Sequence, residues 1–173
     1  EKGQVLIKNH YAGICHTQLL EFRGKRGVDK YLPHCLGHES SATVIDVGPG
    51  VKKIKPSDKV IASWISGNGL NARGPAYKST SKNIKVNAGP IAVFSEYSVV
   101  SENRLYKIPS GLSIKDAVFY GCAIPTGMGS IRNYLNDPKN NKICVIGAGG
   151  VGTFASIAAS LLGCKNLIVI DIN

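Results

Sequence analysis

The sequence has no run of about 18 apolar residues, so no helical membrane span is expected. It opens Glu1-Lys2-Gly3-Gln4, with neither an initiator Met nor a signal-peptide pattern. A strand-like run begins at once at Val5, so upstream sequence is expected to be missing. There is no internal repeat and no low-complexity tract. Disulfide-framework spacing is absent as well: the five cysteines, Cys15, Cys35, Cys122, Cys144 and Cys164, are odd in number and lie far apart. That usage fits a reducing, cytoplasmic setting in which cysteine binds metal or packs.

What is present is a chain of 173 residues, 43% hydrophobic and 18% charged, enough for a real core. The net charge is +10, but Lys and Arg are scattered, and the densest stretch, Lys52-Lys53-Ile54-Lys55, follows a Gly-Pro-Gly turn. A nucleic-acid binder would gather such charge into a patch interleaved with aromatics. No nucleic-acid partner and no membrane partner are therefore expected; steering of an anionic cofactor is a milder use of the charge.

The first two-thirds reads as β-rich. Runs 5–9, 41–47, 59–64, 93–100 and 104–108 are rich in β-branched and aromatic residues and bounded by Gly, Pro, Asn and Ser. The polar stretch 66–90 reads as a long surface excursion. Near residue 110 the texture changes. Ser113 and Asp116 make a capping box before a short helix at 117–122. Pro125 and Gly127 are expected to break the pattern before a second helix at 128–135, which Asn136-Asp137-Pro138 ends.

From Lys142 the order is strand, glycine turn, helix, strand. Ile143-Cys144-Val145-Ile146 and Leu167-Ile168-Val169-Ile170 read as parallel strands buried on both faces, and 151–162 as a buried helix. Between them, Gly147-Ala148-Gly149-Gly150-Val151-Gly152 satisfies G-x-G-x-x-G in its proper context. In such a turn Gly147 permits the tight bend, Gly149 and Gly150 the approach of a pyrophosphate, and Gly152 close helix packing. The helix N-terminus offers free N–H groups to phosphate. Asp171 ends the second strand, where a carboxylate accepts hydrogen bonds from ribose hydroxyls and repels a 2′-phosphate, favouring NAD over NADP. A doubly wound domain needs about six strands, so sequence is expected to be missing at this end also.

Two further segments stand out, Gly13-Ile14-Cys15-His16-Thr17 and Leu36-Gly37-His38-Glu39. Alone, each Cys or His reads as well as a packing residue. Together with Phe94-Ser95-Glu96-Tyr97, Gly121-Cys122-Ala123-Ile124-Pro125-Thr126-Gly127 and the glycine turn, they stand in the order of zinc-dependent medium-chain alcohol dehydrogenases. The chain resembles that family over nearly its whole length, and within it the class III branch that includes glutathione-dependent formaldehyde dehydrogenase. The resemblance implies a β-rich GroES-like barrel catalytic domain over residues 1–124. The first βαβ unit of an α/β Rossmann domain follows over 125–173, truncated.

It also implies that Cys15, His38 and Cys122 bind one catalytic zinc, two thiolates and an imidazole leaving a fourth position open. Glu39 would stand beside it as an alternative ligand or a partner of the ligands. Thr17 matches the hydroxyl that takes the alcohol's proton, and His16 a contact to the cofactor pyrophosphate. Thr126 and Val151 match residues against the nicotinamide ring. Trp64 matches an aromatic wall of the substrate pocket, with plain core packing as its alternative. The implied activity is hydride transfer from an alcohol to NAD, giving aldehyde or ketone, in a homodimer or homotetramer. A polyol or amino-alcohol dehydrogenase, or a non-catalytic or truncated relative, are the alternatives.

The chain departs from the family in three places. The usual relay histidine is Leu20, and the usual aspartate beside the zinc histidine is Gln18, which accepts through an uncharged oxygen. Between Cys35 and Cys122 there is no cysteine, so the four-cysteine structural zinc is expected to be absent. Cys35, although in a C-x-x-H pair with His38, reads as core.

Overall fold

The computed structural model describes residues 1–137 and 139–172, which form two compact units, Glu1–Gly121 and Cys122–Asn173. The first is built on strands β1 (Gln4–Ala12), β2 (Glu39–Val47) and β3 (Lys59–Ser63). With β6 (Tyr97–Ser101) and β7 (Leu105–Lys107) they form a five-stranded sheet in the order β6-β1-β2-β3-β7. All four pairings are antiparallel. Alternation puts Val5, Ile7, Val44, Val60, Val100 and Leu105 on the buried face, where they form the core with Ala42, Ala62, Ile54 and Val93. The register of β1 against β2 shifts between Asn9 and Tyr11, an irregularity of the kind that bends a strand, just before the 13–15 segment.

The β-rich reading holds, with corrections at element ends. The fourth strand begins at Tyr97 rather than near 93, because the N–H groups of Val93 and Phe94 bond the Leu36 carbonyl in the loop instead of a neighbouring strand. The 66–90 excursion contains a small hairpin, β4 (Ala76–Lys78) with β5 (Lys85–Asn87). The helix α1 (His16–Phe22) was not foreseen. Its N-cap is Cys15, whose side chain makes no capping bond, so the usual Ser, Thr, Asp or Asn signal is missing.

Ser113 does cap: its hydroxyl accepts from the Asp116 N–H at 3.0 Å and donates to the Asp116 carboxylate at 2.7 Å. The helix it starts, α2 (Ile114–Ala117), continues as a 3₁₀ turn over Val118–Gly121 rather than as the α-helix expected at 117–122.

In the second unit, α3 (Ala123–Arg132) runs through Pro125 and Gly127, where a break was expected. Pro125 is the third helical residue, in the first turn, where its missing N–H would have had no intrahelical partner. Gly127 is there for packing, since a Cβ would overlap the Val151 carbonyl oxygen on α4 (Gly150–Leu161). Pro138, read as part of the helix stop, lies outside the described residues. β8 (Lys142–Ile146) and β9 (Asn166–Ile170) pair in parallel. Ile143 and Val145 join Ile131, Ala155, Ala158 and Ala159 in the core of this unit. Burial on both faces is not observed: Ile146 is 85% and Ile168 62% exposed, because the helices cover one face only. For the same reason α4 is not buried all round, and Leu161 is exposed.

Candidate functional site

In the first unit, the end of β1, the start of α1 and the start of β2 converge. Cys15 caps α1, and His16 and Thr17 open it. His16 is exposed, while Cys15 and Thr17 are half-buried. His38 comes from the loop before β2. Gly37 makes that approach possible: its φ is +96°, and a Cβ would sit 2.5 Å from the Phe94 ring and 2.8 Å from its backbone nitrogen. The Cys15 sulfur and a ring nitrogen of His38 come within 4.8 Å of each other.

Gln18, buried on α1, turns its amide onto the Nδ1 of His38, as expected of the residue in the aspartate's place. With the amide nitrogen assigned to that contact, the buried Oε1 has no partner. With the amide turned over, Nδ1–H donates to Oε1. Burial pushes the His38 imidazole below its ordinary pKa; the Glu21 carboxylate opposes this and the Arg26 guanidinium reinforces it. The neutral imidazole, which a lowered pKa favours, is the form that binds metal.

Glu39 opens β2 and is 4% exposed. Gly13 leaves room for it, since a Cβ there would sit 2.5 Å from the Glu39 carboxyl carbon. Gly121 also faces Glu39, and its carbonyl accepts from the Ser63 hydroxyl at 2.7 Å. Trp64, just past β3, is 48% exposed and so is not core packing. Cys35 is half-buried, and burial pushes its thiol up.

A cleft of about 1050 Å³ opens beside these residues, lined by Thr17, Gln18 and His38 at one part and by Glu21, Asp29 and His34 at another. The latter three escaped the sequence reading; His34 and Asp29, close together before His38, were the available signal. His34 is raised above the ordinary imidazole value by its hydrogen bond to the Cys35 carbonyl, against burial, and by Asp29.

In the second unit, Cys122 precedes α3, and its sulfur lies 3.9 Å from the Thr126 hydroxyl one helical turn on. The glycine turn takes the shape its sequence implies. Gly147 has φ +96° and donates its N–H to the Ile170 carbonyl. A Cβ on Gly152 would overlap the Gly147 carbonyl oxygen. Around Gly149, by contrast, the space is open, and Gly149 and Gly150 lead into α4. Val151, in the first turn of α4, is 42% exposed. The Asp171 carboxylate reaches the turn and accepts the Ala148 N–H.

Residues 1–110 match the model of the alcohol dehydrogenase GroES-like domain. The chain is 29% identical to S-(hydroxymethyl)glutathione dehydrogenase of Photobacterium damsela subsp. piscicida, covering 100% of this chain and 53% of that protein. It is 30% identical to the NDMA-dependent alcohol dehydrogenase of Amycolatopsis methanolica, covering 98% and 51%. Benzyl alcohol dehydrogenase from Acinetobacter calcoaceticus superposes with a TM-score of 0.81 at 29% identity, over 100% of this chain and 52% of that one. The chain belongs to the alcohol dehydrogenase GroES-like domain family. It spans about half the length of the relatives it matches.

Proposed function

We propose that this protein is a zinc-dependent oxidoreductase that passes hydride from an alcohol to NAD, giving an aldehyde or ketone. The observation that carries the reading is the approach of the Cys15 sulfur to His38, with Gln18 holding the far side of the imidazole. Cys15, His38 and Cys122 would hold one zinc. Cys122 follows directly on Gly121, which hydrogen bonding to Ser63 and packing on Glu39 anchor in the first unit. The donor chemistry fits: two sulfurs and one neutral imidazole suit Zn²⁺ and leave a position open for substrate. Bound there, the metal supplies Lewis-acid polarisation of an alcohol oxygen.

The chain's own groups do the rest. Thr17 takes the alcohol's proton, and Leu20 offers no onward relay, so the proton leaves by another route, through ribose and water. Glu39 serves as a partner of the ligands or an alternative ligand. The open face of Gly149, with Gly150 and the N-terminus of α4, binds the pyrophosphate of NAD, with His16 as a second contact. Thr126 and Val151 line the nicotinamide, Asp171 takes the ribose, and Trp64 walls the substrate pocket. The thiol-free 66–90 segment supports a protein without a cysteine-bound structural zinc. A small-molecule alcohol or aldehyde partner, a homodimer or homotetramer, a cytoplasmic location and a division into a catalytic and a Rossmann domain near residue 124 belong to the same proposal. Among the described residues no helix is long and apolar enough to cross a membrane.

Cys15→Ser in the full natural polypeptide is expected to abolish both zinc retention at this set and NADH production. Turnover surviving that substitution would refute the reading. Asp171→Ala is expected to erode discrimination between NAD and NADP by at least about tenfold, on the order of the 1.5–3 kcal/mol of a hydrogen bond to a charged group. A wild-type preference for NADP would mean that Asp171 does not hold the ribose.

A further inference from the structure

Glu21 stands on the last turn of α1, and Asp29 and His34 stand on the loop that follows. One carboxylate oxygen from each acid and a ring nitrogen of His34 all lie within 4.8 Å of one another. None of the three is fully exposed: their side chains are 26%, 27% and 14% accessible, on the wall of the cleft. The orientation of His34 is fixed from outside the group. Its Nδ1 lies 3.0 Å from the Cys35 carbonyl, an acceptor only, so Nδ1 carries the proton. Nε2 then points at the Asp29 carboxylate 2.6 Å away, with the Glu21 carboxylate 3.8 Å off on the same side. An imidazole between acceptors on both edges needs a positive charge between Nε2 and the carboxylates, either a second proton or a cation. The Nδ1–H to carbonyl bond is also the support that metal-ligating histidines ordinarily have.

We propose that Glu21, Asp29 and His34 form a second metal site, for a divalent first-row cation such as Zn²⁺ or Mn²⁺. One imidazole and two carboxylates suit these ions better than Cu⁺, which wants sulfur, or Mg²⁺ and Ca²⁺, which want oxygen throughout. Two carboxylates neutralise the ion, and three protein ligands leave it room for water. Such an ion ties α1 to the loop carrying Asp29 and His34, and so stiffens the wall of the cleft that runs on to His38. This site shares no ligand with the Cys15 set and does not depend on it.

Cobalt separates the two sites by spectrum, because thiolate ligands give Co²⁺ an intense charge-transfer absorption and oxygen and imidazole ligands do not. The full natural polypeptide, stripped with chelator and titrated with Co²⁺, is expected to take up one more equivalent than the one that produces the charge-transfer band. Asp29→Asn/His34→Gln is expected to lose that extra equivalent and keep the band. Cys15→Ser is expected to lose the band and keep the extra equivalent. Glu21→Gln, a milder change on the helix exterior, is expected to weaken the extra binding at least tenfold even if the double variant folds poorly. Unchanged stoichiometry and affinity in Glu21→Gln, or no extra equivalent in the wild type, would overturn the proposal and leave His34 as an imidazolium paired with Asp29. Loss of the band alone in the wild type would count against the Cys15 zinc and not against this site.

Discussion

Replacing Glu102 by alanine is expected to destabilise the first unit by about 3 kcal/mol. Glu102 begins a 3₁₀ turn between β6 and β7 and is 2% exposed. Its Oε1 accepts the N–H groups of Lys52 and Lys53, both at 2.8 Å, and its Oε2 accepts that of Leu70 at 2.6 Å. One side chain thus satisfies three backbone donors on two loops, and Gly69, at φ +112°, leaves room for it. Each orphaned buried donor costs roughly 1–3 kcal/mol, and relief from burying the charge and entry of water offset part of the sum. Glu102→Gln retains one acceptor oxygen but turns an NH₂ toward donors, so its cost is expected to be smaller, about 1–2 kcal/mol.

Burial would raise the Glu102 carboxyl, but the bonds from Leu70, Lys53 and Lys52 and the nearby Lys53 charge win, and it lies below its ordinary value. A group depressed in the folded state contributes stability above its unfolded pKa and loses it as pH falls through the folded value. The gap between wild type and Glu102→Gln is therefore expected to be constant near neutrality and to shrink as pH falls below about 4.3. Urea unfolding followed by circular dichroism at a series of pH values measures both effects. An alanine variant within about 0.5 kcal/mol of wild type, the range of ordinary surface changes, would refute the reasoning.

Two other substitutions test the site's scaffolding. Gly152→Ala drives a Cβ into the Gly147 carbonyl and is expected to weaken NAD binding at least tenfold by titration, since the turn or α4 must shift; unchanged affinity would show that the turn relaxes without cost. Gln18→Leu removes the partner of His38 and is expected to lower zinc affinity by about 10–100-fold in a chelator competition. Equal affinity would mean that packing alone orients the imidazole.

Several features were legible because local chemistry carries them. The glycine turn is one: only residues without a Cβ tolerate the φ of Gly147 and the contact at Gly152, so the spacing announces the conformation. Ser113 capping Asp116 is another, since donor and acceptor lie three residues apart. The strands of the first unit were visible in their β-branched and aromatic residues, bounded by Gly, Pro, Asn and Ser. What stayed hidden depended on partners distant in sequence. The helix after Cys15 has no polar cap to mark its start, and Pro125 and Gly127 sit inside α3 because of their place in the first turn and the nearness of α4. Glu102 looked like any loop acid.

By itself, then, the order of residues determined the fold class, the glycine turn and the family resemblance, because residue propensity, capping and Cβ sterics act over a few neighbours. Only the tertiary structure decided which side chains meet. Cys15 comes to His38, Gln18 turns its amide to the imidazole, and Glu21, Asp29 and His34 gather on one wall. These encounters require the bend of β1, the helix after it and the loop before β2 to close on one another. That closure is set by burial and backbone hydrogen bonding across the whole unit, which no window of sequence contains.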